Sequence, residues 1–321
     1  MSKNTQWEMP PEQIASVFQE IRRSHPLIHM IPNMASAALC ADGLSALGAR
    51  PLMAVAPQEM AEVTTQADAS VINLGQLNQE KITAVRHVLF EVTEKRKPLV
   101  LDPVGCGASK FRLLTVQEFL RMPWQGIVKG NHSEIYSIQQ NLLTREGIDS
   151  IKDWELPEKI PSGRVYLVTG ETDVILWKDK RKQVFRKTCH PISEGFSRNI
   201  VDKRKECGQN GKMNRYNIVG SGCLAGAVAG ACYSVICRHG ISGFREAPVG
   251  ENREKVLEKI RISAATAASY GMAFALEQTE HVPGYGTAKS SLLDGLSLLA
   301  EEGFREWLEH RAASDEKEEG I

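Results

Sequence analysis

The sequence carries no excess of either charge. Lys and Arg total 39, as do Asp and Glu, so net charge gives no reason to expect a nucleic acid or an anionic membrane surface as partner. A cysteine framework is also missing. The 7 cysteines, at positions 40, 106, 189, 207, 223, 232 and 237, are odd in number and include no CxxC pair with a matching partner, which argues against a zinc site. Several fall in apolar runs, as expected of reduced, buried thiols in a cytoplasmic protein. The first residues, MSKNTQWEMPPEQ, have no apolar core for a signal peptide, and no stretch reads as long enough to span a bilayer. There is no internal repeat and no linker rich enough to separate two domains. What remains is the expectation of a single domain over residues 1–321, 42% hydrophobic and 24% charged, soluble and cytoplasmic.

Apolar spacing gives the order of elements. Ile14, Val17, Phe18 and Ile21 predict a helix over Pro11–Ser24 behind a proline start. Leu27–Ile31 reads as a short strand, after which Asn33 can cap a helix through Leu47 that stops at Gly48. Further strands are expected at 51–56, 70–75, 98–103, 126–129 and 165–169, with a hairpin partner at 173–178. Helices are expected at 57–67, 79–95, 115–121, 251–277 and 287–299. Strands alternating with helices imply an α/β fold with a mostly parallel central sheet covered by helices on both faces. Residues 178–216 interrupt the pattern: crowded with Lys and Arg, they read as a basic insertion, either a solvated excursion or a lid. Residues 313–321 read as a disordered acidic tail.

The stretch 217–236, NIVGSGCLAGAVAGACYSVI, draws the rest together. Gly220, Ser221, Gly222 and Cys223 precede a run too rich in small residues for a surface helix, so a buried helix is expected. A glycine turn opening such a helix aims free N–H groups and the positive end of the dipole at one spot, an anion-binding geometry. Cys223 falls on the first turn, where that dipole favours a thiolate. The alternative is a close helix–strand contact with one more buried cysteine.

Ligands of parallel α/β sheets bind beyond the carboxyl ends of the strands. The polar residues ending these strands are Asn73, Asp102, Lys129 and Thr169. Asp102, in LDPVGCGASKFR, suits a magnesium–nucleotide site or merely caps a helix. Asn131 and Glu134, in VKGNHSEI, have capping-box spacing, and Lys129 before them either neutralises phosphate or lies on the surface. Thr169 and Gly170 offer a hydroxyl and an amide to phosphate, or only a hairpin turn. Together these groups share one sheet edge and make up the parts list for phosphoryl transfer.

Five blocks then carry a resemblance: NMASAALCADGLSALGARPLMAVAPQEM, ASVINLG, LDPVGCGAS, KGNHSEI with VTGETD, and GSGCLAGAVAGA with SYGMAFALE. In this order they are similar to the hydroxyethylthiazole kinases of thiamin salvage, a branch of the ribokinase-like superfamily. The resemblance implies transfer of the ATP γ-phosphate to 4-methyl-5-(2-hydroxyethyl)thiazole, with magnesium. It implies that Met53 and Asn33 contact the thiazole, that Lys129, Thr169 and Asn131 lie at the nucleotide, and that Asp102 and Glu134 are the acidic pair at magnesium. Gly220 matches the glycine at the substrate hydroxyl, with Ser221 and Gly222 completing the turn, and Cys223 matches the position where relatives in the superfamily carry an Asp base. It further implies a homotrimer with sites at subunit contacts. Three features depart from the family pattern: Lys129 stands where Arg is usual, Val219 where Thr is usual, and the basic insertion lies just before the glycine turn. Two other readings stay open, a catalytically weak thiazole- and nucleotide-binding protein, and a kinase of another small heteroaromatic alcohol.

Overall fold

Strands with apolar residues at consecutive positions need cover on both faces, and the fold supplies it. The computed structural model describes residues 9–144, 163–170, 172–178, 180–186, 217–239, 253–280 and 282–319. The first half of the chain runs α1 (Pro11–Ser24), β1 (Leu27–Ile31), α2 (Ala37–Ala46), β2 (Arg50–Leu52), α3 (Met60–Gln66), β3 (Ala69–Asn73), α4 (Gln79–Lys95), β4 (Leu99–Asp102), α5 (Lys110–Arg121) and β5 (Gly126–Asn131). There follow α6 (His132–Gln140), β6 (Arg164–Thr169), β7 (Thr172–Trp177), β8 (Lys180–Arg186), α7 (Ser221–His239), α8 (Arg253–Glu277), α9 (Tyr285–Ser297) and α10 (Glu302–Glu319).

The strands form one 8-stranded sheet in the order β2-β1-β3-β4-β5-β6-β7-β8. It is parallel through β6, and β7 and β8 extend it antiparallel. Side chains alternate between two apolar layers. Val71, Val100, Ile127 and Leu167 pack into a core with α1, α2, α7 and α8, whereas Ile72, Leu101, Val128 and Val168 pack into a second core with α4, α5 and α6. Because β2 lies to one side of β1 and β3 to the other, the winding reverses between β1 and β3. That reversal opens a crevice at the strand mouths.

Several expectations give way. Asn33 is not the cap of α2: Ser36 holds that position, and its backbone N–H donates to Asn33 Oδ1 at 3.1 Å, so Asn33 builds the turn before the helix. The strand expected at 51–56 ends at Leu52, which leaves Met53 beyond it. Helix α5 starts earlier than expected, at Lys110, because the Ser109 hydroxyl accepts from the Arg112 N–H. The basic insertion begins as structure, since Lys180–Arg186 pairs with β7 as an edge strand; residues 187–216 lie outside the described residues. The acidic end is helical as far as Glu319. Finally, Ser221–Arg238 is long and apolar enough to cross a bilayer, against expectation, but 78% of that window is buried inside the protein.

That last helix is buried because glycines let it settle on the sheet. A Cβ added at Gly230 would lie 2.4 Å from Val71 Cγ2 on β3, so the contact depends on the missing side chain. Gly230→Ala should therefore destabilise by about 1–3 kcal/mol through overpacking. Adding Val71→Ala should recover part of that loss, and denaturant unfolding of the single and double variants checks the non-additivity.

Candidate active site

The helix α7 delivers its first turn to the crevice. Gly220, at φ +90°, turns the chain into it, and a Cβ there would stand 2.8 Å from Ser36 Cβ. The Ser221 N–H donates back to Ile218 and that of Leu224 to Gly220, leaving the Gly222 and Cys223 amides without a backbone acceptor among the described residues. Cys223 is 9% exposed, and its sulfur accepts from Asn33 Nδ2 at 3.3 Å. From there a buried polar chain crosses the mouths of the central strands. Asn33 Nδ2 also donates to Asn73 Oδ1 at 2.9 Å, Asn73 Nδ2 donates to Asp102 Oδ2 at 3.1 Å, and Lys129 Nζ donates to Asp102 Oδ1 at 3.4 Å. Residues far apart in sequence, from the ends of β1, β3, β4 and β5 and from α7, thus meet in one line.

Asp102 is fully buried, and burial pushes its carboxyl up from the ordinary carboxylate range; Lys129 opposes the shift and the neighbouring charge of Glu134 adds to it. Burial works against the Lys129 charge, but Asp102 and Glu134 outweigh it and push that amine up, so the ammonium stays charged. It points at α7: a Cβ on Gly222 would lie 3.4 Å from Nζ. The surface alternative for Lys129 is thereby excluded. Glu134 and Asn131 form the expected capping box on α6, with Asn131 N–H donating to Oε2 at 2.8 Å and Glu134 N–H to Asn131 Oδ1 at 2.8 Å. The other carboxylate oxygen accepts from the Gly105 N–H at 2.9 Å. Both oxygens of each carboxylate are already engaged by protein donors. A magnesium ion at this pair would have to be held through water rather than by direct coordination.

Thr169 ends β6 beside Asn131 of β5 and reaches the Gly130 carbonyl only at 3.5 Å, so its hydroxyl is loosely held. Met53 does not join the polar chain; it is half-buried past the edge strand and packs on the core that includes Cys223. Asn73, singled out as a strand end, plays a part the sequence does not show, its amide bridging Asn33 and Asp102. One residue escaped the sequence reading altogether. Lys81, in the first turn of α4, gives no motif at all, yet its amine donates at 2.7 Å to Pro32 O and at 2.7 Å to Gly75 O, clamping the loops after β1 and β3.

Fold and site together give an α/β protein with a buried polar line at the mouths of its parallel strands, where such sheets take their ligands. The model of the hydroxyethylthiazole kinase family matches residues 18–243, and the chain belongs to that family. It is 33% identical over 221 residues to a hydroxyethylthiazole kinase of Methanosarcina mazei, covering 67% of this chain and 76% of that relative. Against the enzyme of the same name from Halalkalibacterium halodurans it is 29% identical over 293 residues, 89% of this chain and 95% of the relative. The solved structure of a hydroxyethylthiazole kinase protein from Pyrococcus horikoshii shares the fold, with a TM-score of 0.63 at 24% identity over 92% of this chain and 96% of that one.

The clamp has a pH signature. Burial, then the nearby Arg112 charge, push Lys81 down from the ordinary 10.5 to about 8. Between those values the unfolded chain holds a proton that the folded one has released, so raising the pH through that window favours the folded state. Wild type should gain on Lys81→Gln by up to about 1.4 kcal/mol per pH unit there, measured by urea unfolding. A difference that stays flat or falls would contradict the buried amine.

Proposed function

We propose that the chain transfers the γ-phosphoryl group of ATP to the hydroxyl of 4-methyl-5-(2-hydroxyethyl)thiazole, a step of thiamin salvage, as one cytoplasmic domain working in a homotrimer. The observation that carries the site assignment is the unbroken polar chain from Cys223 to Asp102 and Lys129 at the start of α7.

In this reading the thiazole alcohol lies between Met53 and the glycine turn. Met53 offers a polarisable, apolar contact suited to a heteroaromatic ring rather than a polyol. Asn33, Gly220 and Cys223 hold the alcohol oxygen in line with the phosphoryl group. The amides of Gly222 and Cys223 and the dipole of α7 receive charge spreading over that group. Lys129 adds a fixed positive charge at the same place, while Thr169 and the Asn131 turn face the rest of the triphosphate. Magnesium, held through its waters by Asp102 and Glu134, would neutralise charge on the bridging phosphates. As the alcohol oxygen bonds to the γ-phosphorus and the bond to the departing ADP oxygen breaks, the alcohol proton passes to Cys223 acting as a thiolate. A loose transition state calls for little proton removal early, so positioning outweighs basicity.

Cys223→Ser should then lower kcat by roughly 10–100-fold while leaving the affinity for the thiazole alcohol nearly unchanged. ADP release coupled to the alcohol with Mg-ATP, run beside calorimetric binding, measures both. Full activity in the variant removes the thiol from the mechanism, and saturable binding without turnover in the wild type makes the protein a binder instead.

A further inference from the structure

Asn73 is fully buried at the end of β3, and its amide is committed at both ends. Oδ1 accepts from Asn33 Nδ2 at 2.9 Å and from the Gly75 backbone N–H at 3.0 Å, while Nδ2 donates to Asp102 Oδ2 at 3.1 Å. A backbone N–H can only donate, so Gly75 decides which end of the Asn73 amide is oxygen. Asn33 is fixed in the same manner. Its Oδ1 accepts from the Ser36 backbone N–H at 3.1 Å, which turns Nδ2 toward Asn73 and the Cys223 sulfur. Two backbone donors thus set the polarity of the whole line and leave neither amide free to flip. Close approach is part of the design: a Cβ on Gly75 would stand 2.9 Å from Asn33 Cβ and 3.1 Å from Asn73 Oδ1.

We propose that Asn73 is a positioning residue for phosphoryl transfer, holding the Asn33 donor on the Cys223 sulfur and presenting Asp102 Oδ2 as an acceptor at a fixed spacing from it. This inference rests on the kinase reading above. Asn73 itself reaches the reaction only through Asn33 and Asp102, so it governs alignment rather than ground-state binding. Misalignment on the scale of an ångström is enough to cost about 100-fold in rate. Its loss should therefore appear in kcat and not in KM.

Two variants disturb the line differently. Asn73→Asp keeps an oxygen toward Asn33 and Gly75 but sets a second carboxylate oxygen against Asp102. Gly75→Ala removes no polar group and instead presses the two amides apart. Each should lower kcat by about 30-fold with KM for the thiazole alcohol within about twofold, and each should cost less than about threefold when Cys223 is already Ser. A merely structural amide would lower stability and give losses that multiply with Cys223→Ser. Should Asn73→Asp fail to melt cooperatively, Gly75→Ala carries the same comparison. The second readout is independent of turnover: the alkylation rate of Cys223, mapped by mass spectrometry, should change at least about threefold in these variants because the sulfur loses its fixed donor. Wild-type kcat, or multiplicative losses, in a cooperatively folded variant overturns the proposal. A wild type without turnover defeats the kinase reading alone; the positioning role then stands or falls with Cys223 alkylation, and an unchanged rate defeats it.

Discussion

A carboxylate at 0% exposure is the constraint from which the rest of the site follows. Burying Asp102 without partners is far costlier than any single contact returns, so each neighbour has to answer it. One oxygen is met by the Lys129 ammonium and the other by the Asn73 amide, and both donors are themselves buried. Burial of the donors creates new demands in turn. Asn73 needs donors for its oxygen, found in Asn33 and Gly75, and Asn33 then has an N–H to spare, which finds Cys223. A single costly group has organised residues from several elements, and a network of this kind holds a defined geometry only when every member is satisfied.

The sheet makes this convergence possible. Reversal of winding between β1 and β3 parts the loops that follow them, and Asn33 and Asn73 stand on those loops and strand ends. Opposite them, α7 comes close because it presents glycine to the strands. At Gly230 the approach depends on the missing side chain, since a Cβ would meet Val71 at 2.4 Å, whereas at Gly226 a Cβ would make only ordinary contact with Asp102, 3.6 Å from Oδ2. The helix that fills the core is also the helix whose first turn meets the polar line, through Cys223 and Asn33.

Much of this was legible in the sequence, for identifiable reasons. Parallel strands, buried on both faces, announce themselves as runs such as SVIN and LVLD between helical periods, and the glycine turn before a small-residue run announces the start of a buried helix. Glu134 and Asn131 were legible as a capping box because the motif is local. Failures occurred where tertiary context decides. Nothing local distinguishes Asn33 as a cap from Asn33 as a turn acceptor for Ser36, since both uses place an Asx oxygen near a backbone N–H. Lys180–Arg186 looked structureless because an edge strand, paired on one side only, need not be apolar. Lys81 was invisible because its partners are carbonyls from two distant loops.

Lys129 shows how a departure from the family pattern acquires a physical meaning. An arginine would spread its charge over a planar fork able to grip a phosphate in two places, whereas lysine supplies a compact point charge. Here that charge is drawn inward, 3.4 Å from Asp102 Oδ1 and 3.4 Å from where a Gly222 side chain would begin. A cation held against the positive end of a helix is unfavourable by itself, and here Asp102 and Glu134 together keep it charged. Two positive features converging on the amides of Gly222 and Cys223 leave a local demand for negative charge on the solvent side. In the function proposed above, a phosphoryl group seated at the glycine turn would meet that demand with a lysine in place of a guanidinium.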